Sequence, residues 1–498
     1  MSFEFKLEYT MNEEIFSNYI GPKAENIELL KKLINKILDH HSVWRKSFSP
    51  EDPELYSPSE LNNPKLEEEL DKFLSRSDNN LPYFHPRYLA QMLKDPAIPT
   101  ILGYLTFMLS NPNNHAYEGG PVTTEMEMEV IELLLRFIGF ENGWGHLTSG
   151  GSLANMEALW IARDFYPKGT VYFSEVSHYS WKRICKILQI DNFKEMPVDQ
   201  NFRLDLNKLE NEFKKSLPMF VMANLGSTGT GSVDDIESLL ELRKKYKFHL
   251  HIDAAYGGFV KSVILNESYD LIPFAEIKNL SEFVYRQLLK LQDADSITID
   301  PHKHGLISYG AGAVLYKEEE LRKVVLNTAP YTYHKQNKPN IGMFSLEGSR
   351  PGAMAAACYL TYKVLPPNKA GIGKVVDNSL TASQKLYELL LKTTNIRNIN
   401  YPDLDINCFY FDSLKKEINE INSLTNEVYR QLSVEAENPP FIISKFITPP
   451  LLTKRLLPDY TNINNESLTS LRTVFIKHWN SLNDFYYIEE LVKELEKI

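Results

Sequence analysis

The run Ser296-Ile297-Thr298-Ile299-Asp300-Pro301-His302-Lys303 carries an apolar β-like stretch into a polar cluster with a single lysine. Ligands of open α/β sheets bind beyond the carboxyl ends of the strands. A lysine there can act as a nucleophile, because an amine drawn out of water gives up its proton more readily. The plain alternative is a solvated loop lysine. In His249-Leu250-His251-Ile252-Asp253-Ala254-Ala255, strand alternation puts His249, His251 and Asp253 on one face. Asp253 at a strand end can hold a pyridinium N–H, and the small Ala255 leaves room for a flat ring. Two other readings stay open: a two-histidine, one-carboxylate site for non-haem iron, and histidines hydrogen-bonded in the core.

Thr148-Ser149-Gly150-Gly151-Ser152 precedes a helical pattern. Glycines let backbone approach an anion, hydroxyls donate to it, and a helix start points N–H groups at it; a flexible turn with a serine cap is the alternative. The run has neither the Gly-Lys-Ser/Thr ending of nucleotide-hydrolase loops nor the Gly-x-Gly-x-x-Gly dinucleotide fingerprint, which disfavours a nucleotide. His178 follows one β-like run, and Gly226-Ser227-Thr228-Gly229-Thr230-Gly231 follows another. A phosphate-type loop, an aromatic histidine, a carboxylate and a lysine at four strand ends make up the set that pyridoxal phosphate requires.

An α/β arrangement positions these groups. Thr170–Ser174, Met219–Asn224, His249–Asp253, Ser296–Asp300 and Ala311–Tyr316 read as strands, and Glu125–Ile138, Leu153–Asp164 and Asp235–Lys245 as helices. That alternation predicts a mostly parallel sheet. Upstream, Asn26–Leu38 reads as an amphipathic helix and residues 48–82 as a surface connection. After about residue 365 the pattern turns to helices at Thr381–Lys392 and Ile488–Ile498 around a β-like run at Ile406–Phe411. The resulting division is an N-terminal helical segment (1–85), a large α/β domain (86–365) and a smaller α+β domain (366–498). The chain has 498 residues, 43% hydrophobic and 24% charged, which suits an ordinary folded protein. With 54 basic against 65 acidic residues its net charge is −11, unfavourable for nucleic acid or anionic lipid. Three scattered cysteines suggest a reducing cytoplasm, and no stretch is apolar enough to span a membrane.

Together, Ser149-Gly150-Gly151-Ser152, Ser177-His178, His251-Ile252-Asp253-Ala254-Ala255-Tyr256-Gly257-Gly258 and Asp300-Pro301-His302-Lys303 resemble the group II pyridoxal-phosphate-dependent amino acid decarboxylases. Further runs resemble the bacterial tyrosine decarboxylases of that group: Leu109-Ser110-Asn111-Pro112-Asn113-Asn114-His115-Ala116-Tyr117, Gly143-Trp144-Gly145-His146, Ala329-Pro330-Tyr331 and Leu365-Pro366-Pro367-Asn368. The resemblance spans about residues 80 to 375. It implies the type I pyridoxal-phosphate-dependent transferase fold, with a seven-stranded sheet in the large domain, and a homodimer whose active site lies at the subunit interface.

By this resemblance Lys303 binds the cofactor aldehyde, Asp253 pairs with the pyridine nitrogen, His178 stacks on the ring and Ala255 packs against its other face. Gly151, Ser152, Thr228 and His302 hold the phosphate. Thr228 sits in a Ser-Thr pair where the group commonly has Thr-Thr. Tyr331 matches the loop tyrosine that protonates the product carbon, with Tyr333 as its near rival. Tyr309 matches a tyrosine of the substrate pocket, which favours L-tyrosine or a related aromatic amino acid. Gln91 stands where those relatives have a histidine, and this leaves glutamate or another non-aromatic substrate as the alternative. Readings from other classes are a metal-dependent oxygenase using His249, His251 and Asp253, and a catalytically silent scaffold.

Overall fold

The computed structural model describes residues 13–54, 63–326, 340–463, 465–482 and 484–497. Seven strands form the larger sheet: β1 (Trp144–Thr148), β2 (Thr170–Ser174), β3 (Phe193–Met196), β4 (Pro218–Asn224), β5 (His249–Ala254), β6 (Ser296–Ile299) and β7 (Gly312–Tyr316). Their order is β1-β7-β6-β5-β4-β2-β3. Pairings from β3 across to β6 are parallel, and β7 runs antiparallel between β6 and β1. The expected mostly parallel seven-stranded sheet is thus present. β2, β4, β5, β6 and β7 are buried along their whole length, as strands covered on both faces must be.

Helices pack on this sheet through apolar stripes. Gly151–Phe165 buries Ala154, Ala158, Leu159, Ile161 and Ala162 on one side. Pro121–Ile138 begins with proline at its first turn and ends at Gly139, whose left-handed φ of +95° closes the helix. A second, antiparallel sheet follows, with order β10-β11-β9-β8: β8 (Ile396–Asn398), β9 (Ile406–Phe411), β10 (Ser444–Thr448) and β11 (Leu468–Val474). Helices Ile372–Leu390 and Tyr486–Glu496 close its core, their Leu386, Leu390 and Leu491 sharing one apolar cluster with Phe409 of β9 and Leu471 of β11.

Within the segment read as a surface connection the chain forms a helix, Pro64–Ser77. It is started by Asn63, whose side chain accepts from the Leu66 amide, and by proline at its first turn. None of its residues is buried, so it adds nothing to the core of this chain. Among the described residues no helix is long and apolar enough to cross a membrane.

Candidate active site

A cavity of about 350 Å³ opens where the carboxyl ends of β1, β2, β4, β5 and β6 meet. Each of these strands hands chemical groups to it at or just beyond its carboxyl end, where the chain leaves the sheet. β1 runs into Ser149, Gly150 and the start of helix Gly151–Phe165, so the Gly151 and Ser152 positions sit at a helix N-terminus on the cavity wall. A side chain at Gly151 would come within 3.0 Å of Asp300 Oδ2 and 3.2 Å of the Ala255 methyl, so glycine lets the helix start sit close against both. β2 delivers His178, β4 the turn with Thr228, β5 Asp253 and Ala255, and β6 Asp300, His302 and Lys303.

Nine of the residues singled out in the sequence line this one cavity: Gly151, Ser152, His178, Thr228, Asp253, Ala255, His302, Lys303 and Tyr309. Gln91 does not; it is exposed. Its neighbours are the ones tied down, since the Ala90 carbonyl accepts from Ser444 and Arg472 and the Met92 carbonyl accepts from the Tyr309 hydroxyl. Tyr331 and its rival Tyr333 lie outside the described residues.

Asp253 is 8% exposed. Its Oδ2 accepts from Asn155 Nδ2 at 2.8 Å and from the Trp181 indole at 3.1 Å, and its Oδ1 accepts from the Ala255 amide at 3.3 Å. His249 and His251 do not join it around a metal-sized centre. They bond to Ser296 and Asn155, and among the described residues no group of three histidine, cysteine or acidic side chains could hold a metal ion. Of the alternatives for these histidines, the hydrogen-bonded core is the one present.

Lys303 Nζ lies 3.2 Å from Asp300 Oδ2, with its side chain 18% exposed. The other oxygen of Asp300 is buried without a partner. His302 Nδ1 accepts from the Ala311 amide at 3.2 Å, which leaves the proton on Nε2, and its ring stacks on Tyr309 with centroids 4.3 Å apart. His178 Nδ1 accepts from the Ser180 amide, and Ser180 Oγ lies 2.7 Å from it. Burial lowers the proton affinity of both imidazoles, with carboxylates opposing: Asp253 and then Asp300 for His178, Asp300 for His302. Burial also pushes the Tyr309 phenol up to about 12.

Asp300, Asn155 and Trp181 are participants with no role assigned from the sequence pattern. Asp300 was visible inside the lysine run. Asn155 and Trp181 reach Asp253 across 98 and 72 residues of chain, and no local pattern marks such a contact.

The cavity suits pyridoxal 5'-phosphate on its own chemistry. A side-chain-free helix start and Thr228 offer donors to a phosphate. A carboxylate held by donors, an imidazole and a methyl group suit the faces and nitrogen of a flat heterocycle, and an amine stands ready for its aldehyde. Such a site on a sheet of this topology defines a pyridoxal-phosphate-dependent α/β enzyme. Residues 59–411 match the family described as the pyridoxal-dependent decarboxylase conserved domain. The chain is 30% identical to L-tyrosine decarboxylase of Enterococcus faecium, over 84% of this chain and 85% of that one. It is 28% identical to a probable L-aspartate decarboxylase of Pyrococcus abyssi, over 71% and 87%. The fold matches Oryza sativa TDC, solved with PLP and tryptamine, at a TM-score of 0.71 and 14% identity, over 95% and 98%. The chain belongs to the pyridoxal-dependent decarboxylase family, and it is a pyridoxal-phosphate-dependent amino acid decarboxylase.

Proposed function

We propose that the substrate is L-tyrosine or a related aromatic L-amino acid, released as its amine and carbon dioxide. The observation that carries this is the 30% identity to a tyrosine decarboxylase over most of both chains. The Tyr309 ring in the cavity wall supports it as an aromatic surface beside Lys303. A probable aspartate decarboxylase at 28% identity supports an acidic substrate as the second reading.

When bound, pyridoxal 5'-phosphate supplies a conjugated ring that accepts the electrons left at Cα as carbon dioxide departs. The residues' roles follow. Lys303 would hold the cofactor aldehyde through its amine. Asp253 would accept the pyridine N–H, and His178 and Ala255 would face the ring. Gly151, Ser152, Thr228 and His302 hold the phosphate, which fixes ring against substrate. Tyr331 returns a proton to Cα.

The three-part division at residues 85 and 365 belongs to the same reading, with the seven-stranded sheet wholly between those limits and the antiparallel sheet after them. So does a homodimer in the cytoplasm with its active site at the interface. Helix Pro64–Ser77 leaves Leu66, Leu70, Phe73 and Leu74 exposed, an apolar surface that a second copy would cover, and Cys185, Cys358 and Cys408 are free thiols.

The test is a panel of L-tyrosine, L-DOPA, phenylalanine, tryptophan, aspartate and glutamate with the holoenzyme, reading carbon dioxide release and the mass of the amine. Tyrosine or DOPA should give the highest kcat/KM, and Lys303→Ala should abolish turnover. Turnover confined to aspartate or glutamate would replace the aromatic reading with the acidic one.

A further inference from the structure

Asp253 is bonded into a set of four buried side chains that the roles above do not use. Asn155 stands on helix Gly151–Phe165, His249 and His251 on β5, and Ser296 at the start of β6. The sense of each bond follows from what the groups can donate. A carboxylate oxygen accepts, so Asn155 presents its Nδ2–H to Asp253 Oδ2, at 2.8 Å. This turns Asn155 Oδ1 toward His251 Nε2, 3.0 Å away. An amide oxygen only accepts, so His251 carries its proton on Nε2, with the Thr298 hydroxyl a longer contact at 3.4 Å. His251 Nδ1 is then bare and accepts from the Ser296 hydroxyl at 2.8 Å. The Ser296 oxygen in turn receives His249 Nε2–H at 2.7 Å.

Both rings are fully buried. Burial pushes His249 down to about 4 and His251 well below the ordinary imidazole range, so each offers one N–H and one bare nitrogen. Every group therefore donates in the same direction, toward Asp253. Reversing any one link would set two acceptors or two donors face to face among buried side chains.

We infer that Asn155, His251, Ser296 and His249 form a one-way hydrogen-bond file that fixes the Asp253 carboxylate toward the cofactor ring, which makes these four residues positioning residues for the decarboxylation. The inference rests on Asp253 being the ring's partner, as proposed above. Its chemical consequence is that the Asn155 amide cannot flip. A flipped amide would put Oδ1 against the carboxylate and turn Asp253 away from the ring nitrogen.

Two variants break the file at different links with little change in volume. Asn155→Asp replaces the donor that faces Asp253 with an acceptor, and Ser296→Ala removes the hydroxyl between the two histidines. In the holoenzyme kcat should fall about 100-fold for Asn155→Asp and about tenfold for Ser296→Ala, the range seen when outer partners of a functional ligand are lost, while KM changes by less than about twofold. Independently of the cofactor, ¹⁵N NMR of histidine-labelled apoprotein should show His251 as the Nε2–H tautomer in the native chain and a tautomer mixture in Ser296→Ala. Asp253→Asn is measured alongside. If it leaves kcat and the cofactor's visible absorbance unchanged, Asp253 is not the ring's partner and the assignment above fails first. If Asp253→Asn cripples turnover while Asn155→Asp and Ser296→Ala keep native kcat, the file alone is overturned. An Nδ1–H tautomer for His251 in the native apoprotein overturns it as well, whatever the variants do.

Discussion

Ser227 and Thr228 are neighbours in the turn after β4, and the turn assigns them different work. The Ser227 hydroxyl is buried, 2.7 Å from Ser232 Oγ and 3.1 Å from Thr230 Oγ1, and it accepts from the Ser232 amide at 3.2 Å. It is spent on holding the turn. Thr228 is exposed on the cavity wall. Gly226 allows this arrangement, with φ at +91° and a hypothetical side chain there only 2.8 Å from Leu404 Cδ1. The two hydroxyls should therefore separate experimentally. Thr228→Ala should weaken pyridoxal 5'-phosphate binding about five- to tenfold, one hydrogen bond's worth, and leave the apoprotein's unfolding midpoint in place. Ser227→Ala should lower apoprotein stability by about 1–2 kcal/mol through stranded buried partners. Cofactor titration and urea unfolding of both variants check this, and equal effects on binding would refute the division of labour.

At the scale of elements, the small sheet reaches the site through Arg472 of β11. This buried guanidinium donates to the Thr228 carbonyl at 2.8 Å, the Gly229 carbonyl at 2.8 Å, the Ala90 carbonyl at 3.0 Å and Ser444 Oγ at 3.2 Å. It clamps the turn proposed to hold phosphate to a strand more than 240 residues away in sequence. Arg472→Leu strands several buried carbonyls, each costing about 1–3 kcal/mol. It should lower the urea midpoint and weaken cofactor binding together, whereas Arg472→Lys, with a single ammonium in place of the planar fork, should recover only part of either. Unchanged cofactor affinity in Arg472→Leu would show that the clamp does not bear on the turn. Arg472 also marks where the sequence stops being readable. β2 and β9 stand at the limits read from their apolar runs, and β4, β5 and β6 differ by one residue at an end. β11 was missed because Thr469, Ser470, Arg472 and Thr473 are polar yet buried, and Arg472 is held by carbonyls remote in sequence. β1 hid behind Gly145 and His146, and edge strand β3 behind Lys194 and Glu195. Lys303 and Asp253 were legible because each ends an apolar run, while the partners that hold Asp253 come from other elements.

Across the whole molecule, folding buries several imidazoles without charge, and this ties stability to pH. His249 illustrates the sign. Its ring lies against Phe220 and Tyr166, and burial depresses it from 6.5 to about 4, with Asp295 opposing and Arg243 reinforcing the shift. Between those values the unfolded chain binds a proton that the folded chain refuses. Stability from this group is therefore complete above pH 6.5 and is lost as pH falls toward 4, on the order of 3 kcal/mol in all. His251 and His478 act in the same direction. Asp234 and Asp95 act in the opposite one, since burial raises each to about 6 and their contribution declines as pH rises from 3.8 to 6. The net charge of −11 also opposes, because lowering pH relieves self-repulsion. A single pH profile would blur these terms, so the histidine must be isolated by difference. His249→Gln keeps an N–H donor and removes the titration. In urea unfolding of the apoprotein, the stability gap between native chain and variant should narrow by on the order of 3 kcal/mol from pH 7 to pH 4, as every other group cancels. Parallel profiles across that range would mean that His249 is not held neutral in the folded protein.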